Sequence, residues 1–322
     1  MPHFLSPAGA LVVLAVVLPL AATALLERRA RVARSALGLA APGRRGWLVP
    51  ALCAVAVAAL AAAAAAQPAV TRSVSQPVRT DAEVFFLVDT SRSMLASSAP
   101  GAETRIARAK DVAVELREAV ADVPAGIVSL TDRPLPHLYP TADAEVFEQT
   151  MRRAVQVEHP PPLAPGARAT TFEPLEVFSG SDLFFSPRAR RRLLVVLTDG
   201  ESRPYDVSLL GARVLDGAPL QVVLVHVWQA GERIFDRRGT PERAYRSDPA
   251  SGPQLVQLAR ALRGVVASED DLGAAATSVR RAAGDARATR SVTHVETTSL
   301  APYAVLLAFA PLAVLLWRRN RA

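Results

Sequence analysis

Three oxygen-bearing side chains, Asp89, Ser91 and Ser93, stand at alternate positions directly after the apolar run Val84-Phe85-Phe86-Leu87-Val88. The run is β-branched and aromatic and too short for a typical helix, so it predicts a buried parallel strand. In open α/β sheets, ligand sites collect just beyond the carboxyl ends of the strands, where these three side chains would project. A carboxylate with two hydroxyls, lacking sulfur and imidazole, is a hard donor set that suits Mg²⁺, Mn²⁺ or Ca²⁺ better than zinc or copper. A second apolar run, Leu193 to Leu197, also closes on an acid, in Thr198-Asp199-Gly200. Alone, each piece reads as a turn or a helix cap. Two acids, each ending an apolar strand and separated by about a hundred residues, point instead to one shared ion.

Asp89-Thr90-Ser91-Arg92-Ser93 resembles the D-x-S-x-S signature of the von Willebrand factor A family, and Leu197-Thr198-Asp199-Gly200 is similar to that family's L-T-D-G segment. The resemblance implies a Rossmann-like α/β domain with a mainly parallel central sheet flanked by helices. It also implies a metal-ion-dependent adhesion site with ligands Asp89, Ser91, Ser93, Asp199 and a threonine from Arg168-Ala169-Thr170-Thr171-Phe172, where the family usually has G-G-T. Thr170 fits, because Phe172 then falls at the family's apolar position; Thr171 competes, and Ala169 replaces the glycine. The implied ion is Mg²⁺, and the implied partner is a protein whose Asp or Glu replaces a water on it. Arg92 and Glu201 lie near the rim and read as solvated charges that could tune partner choice.

Other chemistry finds little support. His137, His159 and His226 lack paired metal-ligand spacing, and His226 reads as a packed strand residue. There is no G-x-S-x-G elbow and no phosphate-binding G-x-x-x-x-G-K-S/T loop, so no catalytic residues are assigned. An aspartate-nucleophile phosphohydrolase would want D-x-D, and Ser91 occupies the second acidic place. A metal-independent assembly subunit is the remaining alternative to metal-dependent recognition.

The net charge of +7 is unevenly spread. Arg28, Arg29, Arg31, Arg34, Arg44, Arg45, Arg318, Arg319 and Arg321 carry it, while residues 67–300 hold 28 bases against 29 acids. That near-neutral body has no basic stripe with interleaved aromatics, which argues against a nucleic-acid partner. Cys53 is the only cysteine, so neither an intrachain disulfide nor a cysteine metal site is available.

Three apolar runs, Ala8–Leu26, Trp47–Ala66 and Leu300–Trp317, predict membrane spans. The first has its positive charges after it rather than before it, the reverse of a signal peptide. The arginines place residues 27–46 and the tail 318–322 in the cytoplasm. Residues 1–7 and everything from 67 to 299 are then outside, in a multi-pass cell-membrane protein with lipid contact at its boundaries. Between the spans the sequence predicts a connector (67–80), one α/β domain (81–284) and a polar tether (285–299). Within the domain, Thr104–Val120 carries a helical apolar stripe, Ala125–Thr131 reads as a strand, and Asp143 caps a helix to Val155. His159–Gly166, rich in proline, is an exposed loop leading to Thr170. Val207–Leu215, Gln221–Trp228, Leu255–Leu262, Val265–Val266 and Asp271–Ala283 continue the alternation. Gln229–Pro253 interrupts it as a long insertion and a candidate specificity element. This arrangement resembles bacterial aerotolerance-associated (Bat-type) membrane proteins, which implies an indirect association with AAA+ ATPases of the MoxR type.

Overall fold

A computed structural model describes residues 2–37, 45–159, 161–163, 169–180, 183–285 and 290–319. The chain forms two compact units, one of residues 75–292 and one of residues 1–74 with 293–322.

The chain opens with β1 (Pro2–Phe4). A 3₁₀ helix (Pro7–Val16) follows and runs into α1 (Val17–Ala36). The expected span Ala8–Leu26 is therefore not one α-helix. Pro19 offers no N–H and crowds the carbonyl four residues back, which disfavours an α-ladder through Val16. Beyond Leu26 the helix continues into Glu27–Arg34, because Glu, Ala and Arg are good helix formers whatever their charge. α2 (Arg45–Ala65) contains Leu48–Ala65, the one stretch among the described residues that is both long and apolar enough to cross a membrane. β2 (Pro68–Val78) occupies what the sequence suggested was a connector.

The α/β unit is built on a six-stranded sheet. Its strands are β3 (Ala82–Asp89), β4 (Ala125–Leu130), β5 (Pro134–Thr141), β6 (Arg191–Thr198), β7 (Leu220–His226) and β8 (Val265–Ser268). They lie in the order β5-β4-β3-β6-β7-β8, all parallel except the antiparallel edge pair β4–β5. Helices α3 (Arg105–Glu118), α4 (Ala144–Ala154), α5 (Val177–Gly180), α6 (Val207–Asp216), α7 (Ser251–Ala261) and α8 (Leu272–Ala283) connect and cover them. The expected mainly parallel α/β architecture is thus present. Thr104, Asp143 and Asp271 accept hydrogen bonds from the first turns of α3, α4 and α8, as short polar caps should.

β3 is buried on both faces, so its successive side chains feed two cores. Val84, Phe86 and Val88 pack with Ala109, Leu116, Phe147 and Val279. Phe85 and Leu87 face the other way, toward Leu175, Phe178, Leu210 and Leu258. Each fully buried apolar side chain contributes about 1.5–3 kcal/mol relative to exposure. The run is therefore fixed in place and leaves little freedom to the residue that ends it.

β9 (Arg290–Ser299) lies where the sequence suggested a tether, and joins β1 and β2 in a three-stranded sheet of order β1-β2-β9. Both misread strands carry Val and Thr, residues that fit a pleated surface, among Ser, Arg and other polar residues, and that polarity hid the pattern. α9 (Ala301–Arg319) packs against α2, and its Ala301–Trp317 stretch is apolar but shorter than the α2 stretch.

Candidate metal site

Register brings the two strand ends together. β3 runs parallel to β6 with Val88 opposite Leu197, so Asp89 and Thr198 come next on adjacent strands at the carboxyl edge of the sheet. Both Asp89 and Asp199 are completely buried. Thr198 Oγ1 donates to Asp89 Oδ2 at 2.7 Å, and the Ser91 N–H donates to Asp89 Oδ1 at 2.8 Å. The chain then turns into a short 3₁₀ helix, Arg92–Leu95, which brings the Ser91 and Ser93 hydroxyls within 3.0 Å of each other. Ser93 also stands near enough to Asp199 to oppose the rise that burial imposes on its carboxyl. Gly200 has φ +76°, and a side chain there would collide with Leu255 and the Ser251 carbonyl. This left-handed turn lets the Glu201 N–H reach back to Asp199 Oδ1 at 2.9 Å.

Asp89, Ser91, Ser93 and Asp199 are thus gathered at one point by hydrogen bonds and charge. Thr170 is equally buried, but its hydroxyl donates to the Thr131 carbonyl at 3.2 Å rather than to any of these four. Its backbone pairs with Ser202, beside the Asp199 loop. The Thr171 N–H donates to the same Thr131 carbonyl at 3.1 Å. Arg168, Pro160 and residues 164–166 of the proline-rich approach lie outside the described residues.

Burial, and then the neighbouring Asp199 charge, push the Asp89 carboxyl up to about 7. Among the described residues no Lys, Arg or His reaches Asp89 within ion-pair distance. Asp199 is also raised by burial, but is pulled back by Arg105, whose Nη1 lies 2.8 Å from Asp199 Oδ2. Arg105 is fully buried and also reaches Glu201 (2.9 Å), Glu232 (2.6 Å) and the Tyr245 hydroxyl (2.9 Å). Burial alone would lower its pKa, but the charges of Asp199 and its other acidic partners raise it. Arg108 pairs with Glu232 and Glu269. Five acids therefore face two arginines, and Asp89 is the one without a cation.

Sequence reasoning missed Arg105, Thr198, Glu232 and Tyr245. The signal for Arg105 was present: it precedes Ala109 by four residues and Leu116 by eleven, so it belongs to the buried stripe of α3. Glu201 is not a solvated charge. Its carboxylate accepts from Arg105, the Tyr245 hydroxyl and the Asp248 N–H, which leaves its side chain 13% exposed. Arg92 is half-buried and paired with Glu242 at 2.8 Å. His226 behaves as a packed strand residue, stacked on Trp228 and bonded to the Asp199 carbonyl and Ser251.

The donor set fits a hard divalent ion: two carboxylates and serine hydroxyls, with one carboxylate lacking a counter-charge. Among the described residues no three His, Cys, Asp or Glu side chains converge as a carboxylate- or imidazole-rich centre would require.

An open, mainly parallel sheet with a polar loop cluster at its carboxyl edge defines a Rossmann-like α/β protein. Residues 84–201 match the sequence pattern of the von Willebrand factor type A domain, so the chain carries a domain of that family. Solved structures similar to it include BatB from Bacteroides thetaiotaomicron, at 17% identity, covering 63% of this chain and 98% of that one, with a TM-score of 0.46. An aerotolerance-related membrane protein from Bacteroides fragilis with multiple mutations to serines is 18% identical, covering 62% and 99%, at a TM-score of 0.49. Proximal thread matrix protein 1 from the mussel byssus, with a zinc-occupied MIDAS motif, is 14% identical, covering 64% and 48%, at 0.40. No curated protein matches the sequence significantly.

Proposed function

We propose that this chain is a membrane-anchored adhesion module of the Bat type, which uses Mg²⁺ at Asp89, Ser91, Ser93, Thr170 and Asp199 to capture a protein partner outside the cytoplasmic membrane. The observation that carries this reading is the convergence at adjacent parallel strand ends: two buried acids, with Thr198, the neighbour of Asp199, bonded to Asp89 at 2.7 Å and the Ser91 and Ser93 hydroxyls 3.0 Å apart beside them. A bound Mg²⁺ would supply an electrophilic coordination position for an Asp or Glu of the partner. Asp89 would neutralise the ion directly, the serine hydroxyls would orient toward it, and Arg105 would hold Asp199 in place. Mn²⁺ and Ca²⁺ share the required hardness. On this reading the module recognises rather than catalyses.

Three spans, 8–26, 47–66 and 300–317, would anchor the domain, with the arginine-rich loop and the C-terminal tail in the cytoplasm. A MoxR-type ATPase could then reach it only through those cytoplasmic segments. A second reading is favoured by one observation: the Arg105–Asp199 pair already neutralises one acid internally, which a metal-independent assembly subunit would use for folding alone.

Titration calorimetry of the full chain in nanodiscs separates the two. The adhesion reading expects one Mg²⁺ or Mn²⁺ per chain, lost in Asp89→Ala. Absence of ion binding in the wild type, or binding unchanged in Asp89→Ala, would leave the assembly-subunit reading.

A further inference from the structure

The segment joining β7 to α7 has no regular strand or helix, yet it is fastened along its length. Ser97 and Arg233 exchange backbone hydrogen bonds at 2.9 and 3.0 Å. Glu232 is fully buried against Arg105 and Arg108, at 2.6 and 2.8 Å. Ile234 is buried, and its carbonyl accepts from the Glu242 N–H, closing a small hairpin. Glu242 pairs with Arg92, and the Tyr245 hydroxyl and Asp248 N–H both hold Glu201.

These fastenings sort the segment's charges by side. Its acids turn inward: Glu232, Glu242 and Asp248 all serve contacts with the domain or the segment's own backbone. Arg237, Arg238, Arg243 and Arg246 remain exposed, and among the described residues none meets a carboxylate within ion-pair distance. The one exposed acid, Asp236, accepts from the N–H groups of Arg238 and Thr240. Arg246 also lines a cavity of ≈ 460 Å³ whose walls include Arg92, Ser93, Glu201, Glu242 and Asp248, and the three acids there are already engaged by Arg105, Arg92 and a backbone N–H respectively. Arg92 Nε is buried there with no acceptor among the described residues.

We infer that this segment is a preformed basic wall of the docking groove, and that the partner is a protein segment carrying further acidic residues beside the one that reaches the candidate metal site. The placement of the partner rests on the adhesion reading above; the arginine contacts do not require a metal. Guanidinium groups suit the task, because their planar donors match carboxylates two bonds at a time. A wall already tied down by Glu232 and Tyr245 loses little further freedom when the partner docks. Charges at such a rim chiefly set the association rate and its salt dependence. An anionic bilayer would attract the same arginines, but Arg246 lies in a concavity that a flat surface does not enter.

The test uses the full chain in nanodiscs of zwitterionic lipid. One probe is a fluorescent dodecapeptide of Asp, Glu and Gly with its Asn/Gln counterpart; the other is vesicles rich in anionic phospholipid. Wild type should prefer the acidic peptide, and Arg243→Glu/Arg246→Glu should lower that affinity on the order of tenfold at low salt and flatten its salt dependence. Arg280→Glu/Arg281→Glu, exposed on α8 at the opposite sheet edge, should leave binding unchanged and so control for general charge attraction. If chelator and Asp89→Ala change nothing while Arg243→Glu/Arg246→Glu still costs tenfold, the metal reading fails and the basic wall stands. Equal losses in the two arginine pairs, no preference for the acidic peptide, or binding to the vesicles alone would overturn the inference.

Discussion

The ends of β3 and β6 carry the same residue type in nearly the same place, and the protein treats them differently. Asp89 and Asp199 are both without exposed surface. Asp199 faces a buried guanidinium at 2.8 Å, whereas Asp89 faces only the Thr198 hydroxyl and the Ser91 N–H. Burial raises both carboxyls, and only at Asp199 does an internal cation oppose it. The difference teaches how a site can be rigid and still want an ion. One acid is locked into the fold by the protein's own charge, and the other, with no internal cation, gives up its proton more readily once a cation arrives from outside.

The comparison breaks most visibly if Arg105 is removed. Arg105→Met keeps the volume of the aliphatic stem but leaves Asp199, Glu201 and Glu232 facing one another with only Arg108 nearby. Removing one partner from a buried ionic cluster typically costs about 3–5 kcal/mol. We expect a loss of that order in the α/β unit, read as a lowered midpoint in thermal unfolding followed by circular dichroism. A change within about 0.5 kcal/mol, the usual range for a surface substitution, would mean that the guanidinium is not what distinguishes the two strand ends.

Proton binding sharpens the same contrast. A carboxyl raised from 3.8 to about 7 in the folded state binds its proton more tightly folded than unfolded. The stability this contributes is fully present below about pH 4 and is lost as pH rises through about 7, amounting to about 4 kcal/mol at most. In chelator, wild type should therefore lose stability from pH 5 to pH 8 relative to Asp89→Asn, which lacks the titrating group, and Mg²⁺ should remove the difference. At pH 8 we expect Asp89→Asn to stabilise the metal-free protein by about 2 kcal/mol, because a buried unpaired charge is gone. Asp199→Asn should have the opposite sign, since it strips Arg105 of a partner. Chemical denaturation at the two pH values measures all three, and equal signs for the two substitutions would erase the distinction between the strand ends.

Much of this was legible in the residues themselves. The apolar runs ending at Asp89 and Asp199 announced two buried strands, and parallel register did the rest by setting Thr198 beside Asp89. Charges that fold inward were not legible. Glu232 lies in a stretch without periodicity, so nothing local marks it as buried, and Glu201 follows a turn where solvent is the usual neighbour. Only the tertiary approach of α3 makes both acids partners of Arg105. β2 and β9 were missed because alternation among polar and small residues is a weak signal unless its pairing partner is known.

The finest distinction concerns the third loop, where Thr170 and Thr171 share the Thr131 carbonyl, one through its hydroxyl and the other through its backbone N–H. Thr171 can lose its hydroxyl and keep that hydrogen bond; Thr170 cannot. Thr170 is also the residue paired with Ser202, next to the loop that carries Asp199. Thr170→Val should therefore weaken Mn²⁺ binding by about 1 kcal/mol, roughly fivefold, as expected for the loss of one hydroxyl contact. Thr171→Val should change it by less than twofold, within the usual scatter of such substitutions. Calorimetry on the two variants side by side reads the difference. The reverse order would transfer the ligand role to Thr171 and move the third loop's contact one residue further from Ser202.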